Sequence, residues 1–280
     1  MKTALVIGAS RGIGRQIALT FAKNGYNLCV AAKTSEDSEK LPGTIHTVTK
    51  EIQESGGNAI PVQCNARSEN EIRQTVKTCI DHFGGLDVAV YNAGAILWKK
   101  VMETPFKRFD LMLDVNLRGA YVMLEEVLPY FTKRNSGKII MVSPPIYSRF
   151  FKGKAPYSVS KIGVSILVQG LGLELKDTGV AVTSLWPATA IRAHVTEVLG
   201  VDKKKMRKPD IFADACLKIA QEESSRLNGQ CLIDEDYLRS VGITDFTQYR
   251  CDPEHEPPRM MPLKFPSLKV AEEETITSKL

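Results

Sequence analysis

The sequence predicts a single α/β domain built on a doubly wound parallel sheet. Three observations carry that prediction. Short apolar runs alternate with longer stretches of helical periodicity, glycines fall between each helix pattern and the next strand, and runs such as Val88-Ala89-Val90 are apolar at every position. Strand–helix alternation with right-handed crossovers yields parallel pairing, and a strand apolar on both sides fits a sheet covered on both faces.

Taken in order, the strand-like runs are 4–7, 27–32, 59–63, 88–91, 138–142, 180–185 and 230–233. Helical patterns occupy 13–24, 44–55, 69–83, 107–134, 157–177 and 210–223. Gly25, Gly56-Gly57, Gly84-Gly85, Gly137, Gly179 and Gly229 end helices where a left-handed residue is needed before the next strand. The sheet pattern stops near 235. This divides the chain into a 1–235 domain and a 236–280 extension carrying Pro253, Pro257, Pro258, Pro262 and Pro266, which forbid a regular helix there.

Composition removes several classes of function. Apolar residues make up 43% and charged residues 25%, the balance of a soluble globule, and the net charge of +5 comes without a basic stripe interleaved with aromatics, so no nucleic-acid surface is expected. The six cysteines form no CxxC pair and the four histidines are dispersed, which argues for free buried thiols and against a metal site. No apolar run approaches the ~20 residues that span a bilayer, and Arg11 and Arg15 interrupt the first apolar stretch, so no signal peptide is expected. The terminal Ser278-Lys279-Leu280 matches the address read by the peroxisomal import receptor, and a peroxisomal location is the expectation.

The first glycine cluster carries the ligand prediction. Gly8-Ala9-Ser10-Arg11-Gly12-Ile13-Gly14 follows a strand and opens a helix, the order a dinucleotide pyrophosphate requires. Gly8 allows the tight turn, Gly12 and Gly14 let backbone and helix approach, and the helix N-terminus faces the anion. At the end of the second strand, where an acid would hold a ribose 2′-hydroxyl, the chain has Ala31-Ala32-Lys33 and no acid until Glu36. Lys33 and Arg11 suit a 2′-phosphate instead, which favours NADP(H).

Tyr157 and Lys161 stand four residues apart, hence on one helix face. A free phenol, with a pKa near ~10, exchanges protons poorly at neutral pH, and an ammonium one turn away favours the phenolate. With the early glycine loop, Asn92-Ala93-Gly94, Asn116 and Pro187, this pattern resembles the short-chain dehydrogenase/reductase family over residues 1 to about 235, and implies its Rossmann fold. The resemblance implies that Tyr157 passes a proton to a substrate oxygen while hydride moves to or from nicotinamide. Lys161 would bond the nicotinamide ribose, and Asn116 would hold a relay water. The residue reading and the resemblance together give a cofactor site of Gly8, Ser10, Arg11, Gly12, Ile13, Gly14, Lys33, Asn65, Ala66, Asn92, Ala93, Gly94, Tyr157, Lys161, Pro187, Thr189 and Ile191. Asn65 stands where the family usually carries an Asp toward adenine.

Two departures stand out. Pro144 occupies the position where the family's substrate-orienting serine usually sits, so that role is assigned to the neighbouring Ser143, with Ser148 as a weaker candidate. Ala188 follows Pro187 where the family often has Gly. The segment from Pro187 to about Pro209 is expected to form a substrate lid. Its apolar residues point to a hydrophobic ketone, aldehyde or secondary alcohol, and the cations Lys203, Lys204, Lys205, Arg207 and Lys208 leave open a coenzyme A ester, beside the plainer reading of a solvated loop. Trp98, Ile96 and Leu97 are expected on the opposite wall. An enoyl-CoA reductase and a low-turnover cofactor-binding regulator are the alternatives. The helices 107–134 and 157–177 resemble those that form four-helix interfaces in the family, so a homodimer or homotetramer is expected.

Overall fold

A computed structural model describes residues 1–37 and 42–268; Ser278-Lys279-Leu280 lies outside the described residues. In chain order the strands are β1 (Thr3–Ile7), β2 (Asn27–Ala32), β3 (Ala59–Gln63), β4 (Val88–Tyr91), β5 (Gly137–Val142), β6 (Val180–Trp186), β7 (Ala190–Ile191), β8 (Met206–Arg207) and β9 (Cys231–Ile233). The helices are α1 (Gly12–Lys23), α2 (Ile45–Glu54), α3 (Glu69–Phe83), α4 (Phe106–Met112), α5 (Gly119–Arg134), α6 (Ala155–Glu174), α7 (His194–Val198), α8 (Asp210–Gln221), α9 (Ser224–Leu227) and α10 (Asp234–Ser240).

Seven strands form one parallel sheet in the order β3-β2-β1-β4-β5-β6-β9, and β7 pairs with β8 in a separate two-stranded ribbon. The doubly wound prediction holds. Because successive side chains alternate across the sheet, Val88 and Val90 enter one core while Ala89 enters the other. The first core takes Ile17 and Phe21 from α1 and Phe212 and Cys216 from α8; the second takes Ile72 from α3, Phe131 from α5 and Val164 from α6. Ile7 pairs with Ala31 on one side and Tyr91 on the other. The chain reverses direction across the sheet between β1 and β4, and the crevice at their carboxyl ends is where an open α/β sheet takes its ligand.

The single helix expected over 107–134 is three pieces. Between α4 and α5, Leu113–Arg118 winds as a π-turn, and this residue excess rotates the register and sends Asn116 into the interior, where it is fully buried. Helix α6 starts two residues before Tyr157, with Pro156 in its first turn where the missing N–H costs nothing. Tyr121 and Ile166, on the α5–α6 pair expected to receive a second copy, are exposed beside a largely apolar groove.

The polypeptide beyond 235 continues to build the domain. Helix α10 and the loop after it add Tyr237, Leu238, Phe246 and Tyr249 to the first core. The Tyr249 hydroxyl donates to Asp214 at 2.7 Å, and Arg259 makes a two-pronged pair with Asp236 at 2.6 and 2.7 Å. The prolines rule out helix here but not burial: the main-chain N–H groups of Met260 and Met261 both donate to Ala188 O, at 2.8 and 3.2 Å.

The six cysteines are free thiols. Among the described residues no three His, Cys, Asp or Glu side chains gather to hold a metal, and no helix is long and apolar enough to cross a membrane.

Candidate active site

The crevice holds a groove of about 430 Å3 whose floor is the turn after β1. Gly8 has φ +93°, and a Cβ there would lie 2.5 Å from Ala93 N; a Cβ on Gly14 would lie 2.0 Å from Gly8 O. The Asn92 amide donates to Gly8 O at 2.8 Å and locks the two loops together. Arg11, the residue capping α1, is extended and offers its helix no side-chain acceptor, so among the described residues the first-turn N–H groups have no side-chain cap at the groove. A cradle closed to side chains and rimmed by helix N–H groups fits a dinucleotide pyrophosphate.

Of the residues assigned from sequence to the cofactor, Gly8, Ser10, Arg11, Gly12, Ile13, Lys33, Asn65, Ala66, Asn92, Ala93 and Gly94 line this groove. Gly14 sits behind it as a packing contact. Arg11 donates to Pro42 O at 3.1 Å and Gly43 O at 2.8 Å, which fixes its guanidinium beside the loop preceding α2. Lys33 lines the groove and is exposed. Asn65 Oδ1 accepts from Arg67 N at 3.2 Å. Sequence reasoning missed Thr34, Cys64, Ala193, His194 and Val195, which also line the groove. The last three lie in the segment expected to form the lid, and only chain folding brings them over the glycine turn.

Tyr157, Lys161, Asn116 and Ser143 lie by the carboxyl ends of β4 and β5, next to the groove. Lys161 Nζ donates to Val142 O at 2.9 Å and lies 3.6 Å from where a Gly94 Cβ would stand, so a glycine there keeps the lysine in contact with the groove. Asn116 Oδ1 accepts from Ala95 N at 2.7 Å, and Nδ2 donates to Ala95 O and Ser160 Oγ, both at 2.9 Å. Both amide donors are therefore spent on tying the π-turn to the Asn-Ala-Gly loop and to α6. A relay water would find no side-chain donor left on Asn116.

Ser143 is fully buried, and its Oγ has no hydrogen-bond partner among the described residues. The carbonyls flanking it are both taken by α6: Val142 O by Lys161, and Pro144 O by Ser165 Oγ at 2.6 Å. Ser148 sits exposed on a 3₁₀ turn.

Tyr157 is buried within an aromatic enclosure. Its ring centroid lies 6.3 Å from Trp98 and 6.2 Å from Phe150, and Phe150 lies 5.7 Å from Trp186. Tyr147 closes the far side, with Phe265 at 5.4 Å and its hydroxyl on Met261 Sδ at 3.2 Å. Ile96 and Leu97 pack against the same cluster. Burial pushes the Tyr157 phenol up and the Lys161 ammonium down to about 8. Desolvation thus outweighs the expected pull of the ammonium on the phenol, and Tyr157 stays neutral, the form that donates a proton. In the reverse sense, Lys161 loses charge above pH 8. The unfolded chain, whose exposed lysine holds its proton to ~10.4, then binds more protons, so stability rises with pH through that window while the charged fraction of Lys161 falls. We therefore expect kcat/KM for carbonyl reduction to decline above pH about 8. A pH–rate profile that stayed flat to about 10 would exclude Lys161 as the titrating group.

Pro187, Thr189 and Ile191 follow β6. The buried Asp234 carboxylate accepts from Ala188 N at 2.8 Å and Glu235 N at 2.7 Å, and burial raises its pKa to about 7. No motif in the sequence marks Asp234 for this role, yet it sets the path of the Pro187–Thr189 turn. The segment 187–209 is anchored by Arg207, buried near its end and bonded to Glu235 at 3.0 Å and to Glu256 at 2.5 Å. Arg207 is therefore not one of the available cations of the 203–208 run; Lys208 Nζ bonds Gln248 O at 3.0 Å, and Lys203–Lys205 remain exposed.

Comparison with known proteins agrees with this geometry. Residues 2–199 match the family model described as short chain dehydrogenase. The chain is 40% identical over 257 residues to hydroxysteroid dehydrogenase-like protein 2 of Danio rerio, covering 90% of this chain and 61% of that protein. A crystal structure of a short chain dehydrogenase from Mycobacterium thermoresistibile superposes with a TM-score of 0.85 at 37% identity, covering 92% of this chain and 93% of that one. Actinorhodin polyketide ketoreductase, solved with NADPH, gives a TM-score of 0.71 at 25% identity, covering 83% and 95%.

Proposed function

The chain belongs to the short-chain dehydrogenase/reductase family, and on that premise we propose that it is an NADP(H)-dependent oxidoreductase interconverting a carbonyl and a secondary alcohol on a hydrophobic substrate. The observation that carries the reading is the buried Tyr157, neutral and walled by Trp98, Phe150 and Trp186, directly beside a glycine-lined groove. The bound cofactor supplies or accepts hydride. The chain does the rest. Gly8, Gly12 and the start of α1 would receive the pyrophosphate, and Lys161, whose Nζ lies near Gly94, would hold the ribose. The aromatic enclosure excludes water and seats the apolar substrate, and Tyr157 gives its phenolic proton to the oxygen that gains charge. With Pro144 in place of the usual serine, Ser143 Oγ is the nearest hydroxyl in sequence for steadying that oxygen. Its Oγ is buried and has no partner among the described residues, which leaves its hydrogen-bonding capacity available to that oxygen.

The preference for NADP(H) rests on Lys33 at the groove and on the lack of an acid among the described residues that line it. Wild-type protein should oxidise NADPH faster than NADH with medium-chain aldehydes and ketones. Lys33→Glu should weaken NADPH binding roughly ten- to a hundredfold, the worth of a charge-assisted hydrogen bond, and relieve the bias against NADH. Equal use of both cofactors by the wild-type protein would defeat the NADP(H) reading. We place the enzyme in the peroxisome on Ser278-Lys279-Leu280. Deleting these residues should leave a tagged protein in the cytosol, and unchanged import would overturn the placement.

A further inference from the structure

Lys154 is a cation at the mouth of the site. Its Nζ stands 4.2 Å from the centroid of Phe150 and 5.1 Å from that of Trp98, the two rings that flank Tyr157. Among the described residues no carboxylate pairs with it, and partial burial alone governs its charge, pushing its pKa down. Its placement is built. Gly153, at φ +74°, turns the chain into α6, and Ser158 Oγ donates back to Lys154 O at 3.0 Å and Phe150 O at 3.2 Å. A half-desolvated ammonium over two aromatic faces gains from those rings, yet keeps hydrogen-bonding capacity that water alone would otherwise fill.

We propose that Lys154 is a specificity-determining residue that binds an anionic carboxylate on the substrate, so that the enzyme prefers oxo acids or hydroxy acids with an apolar chain over neutral ketones. The inference rests on the oxidoreductase reading and narrows its substrate. The carboxylate would sit over the Trp98–Phe150 edge, and the reacting carbon would lie beneath it beside Tyr157, a few bonds away. A charge-assisted bond in a partly dry site holds the acid, while the aromatic walls take the chain.

The test pairs ligands that differ only in charge. Decanoate and decanamide are titrated into the protein while tryptophan fluorescence is followed; Trp98 and Trp186 are the two tryptophans, and Trp98 lies under Lys154. Decanoate should bind about tenfold or more tighter than decanamide. Lys154→Met, which keeps the apolar stem over the rings, should erase that difference, and Lys154→Arg should restore it. In turnover, an oxodecanoate should show a lower KM than its amide in the wild type, with Lys154→Met raising KM for the acid and leaving the amide unchanged. Equal binding of acid and amide by the wild type, or equal loss of both in Lys154→Met, would overturn the proposal. The binding readout needs no chemistry: failure of the oxidoreductase reading would appear as no reduction of either oxo compound, with the fluorescence titration still deciding Lys154.

Discussion

Tyr157→Phe should cut kcat/KM by about 10²–10⁴, the usual worth of a positioned general acid, while NADPH affinity and thermal stability stay at wild-type levels. Both halves follow from the surroundings of the side chain. The ring is 2% exposed and packs with Met112 and Phe150, and phenylalanine preserves all of that contact. Among the described residues nothing hydrogen-bonds the phenol oxygen, and burial alone raises its pKa. Deleting a hydroxyl that no protein group among the described residues hydrogen-bonds should cost the fold little. The hydroxyl is kept at the expense of desolvation, which is the pattern expected of a group held for chemistry. Reduced-nicotinamide absorbance gives the rate, and a melting curve on the same sample gives the stability. A variant that melts normally and turns over normally would remove Tyr157 from the reaction. A variant that loses activity only by unfolding would reassign it to the core.

What could be read from the chain, and what could not, divides by the range of the contacts. The strands at 27–32, 59–63 and 88–91 were legible to the residue, because each is a short apolar run with its own terminators. The turn from Gly8 to Gly14 was legible because its constraint is local: strand, tight turn, helix. The π-turn over Leu113–Arg118 was not, since a periodicity of 3.6 continues on both sides of it and a single extra residue leaves almost no trace in the pattern. The aromatic enclosure around Tyr157 was hidden for a different reason. Tyr147 meets Met261 across 114 residues of sequence, and Asp234 meets Ala188 across 46. Neither partner carries a motif. The Pro-rich run that ended the sheet pattern also concealed Met261 and Phe265, because helix-breaking composition reports the absence of regular structure and says nothing about burial. Arg207 illustrates the converse error. In a row of lysines it reads as surface charge, but the fold spends it on Glu235 and Glu256.

The cofactor cradle yields the largest effect on the fold itself. Gly8→Ala should lower stability by about 2–5 kcal/mol, the sum of a left-handed backbone forced on an L side chain and an overpacked contact. The added Cβ would lie 2.5 Å from Ala93 N and 2.8 Å from Ala93 Cα, both main-chain atoms of a loop already fixed to Ile7 O and tied through Asn92 to Gly8 O. No side chain can swing aside to relieve it. Gly25→Ala separates the two contributions. Gly25 has φ +81°, nearly the same conformation, but among the described residues nothing lies within 4 Å of the point where its Cβ would stand. That variant should therefore lose only the backbone contribution, roughly 1–2 kcal/mol, and keep full NADPH affinity. Denaturant midpoints of the two variants, with an NADPH titration of each, distinguish the cases. If Gly8→Ala cost no more than Gly25→Ala and still bound NADPH, the close approach of the two loops would not be what shapes the cradle. A larger cost together with lost binding would mean that one glycine serves both, closing the seam between β1 and β4 and leaving the backbone bare where the pyrophosphate must lie.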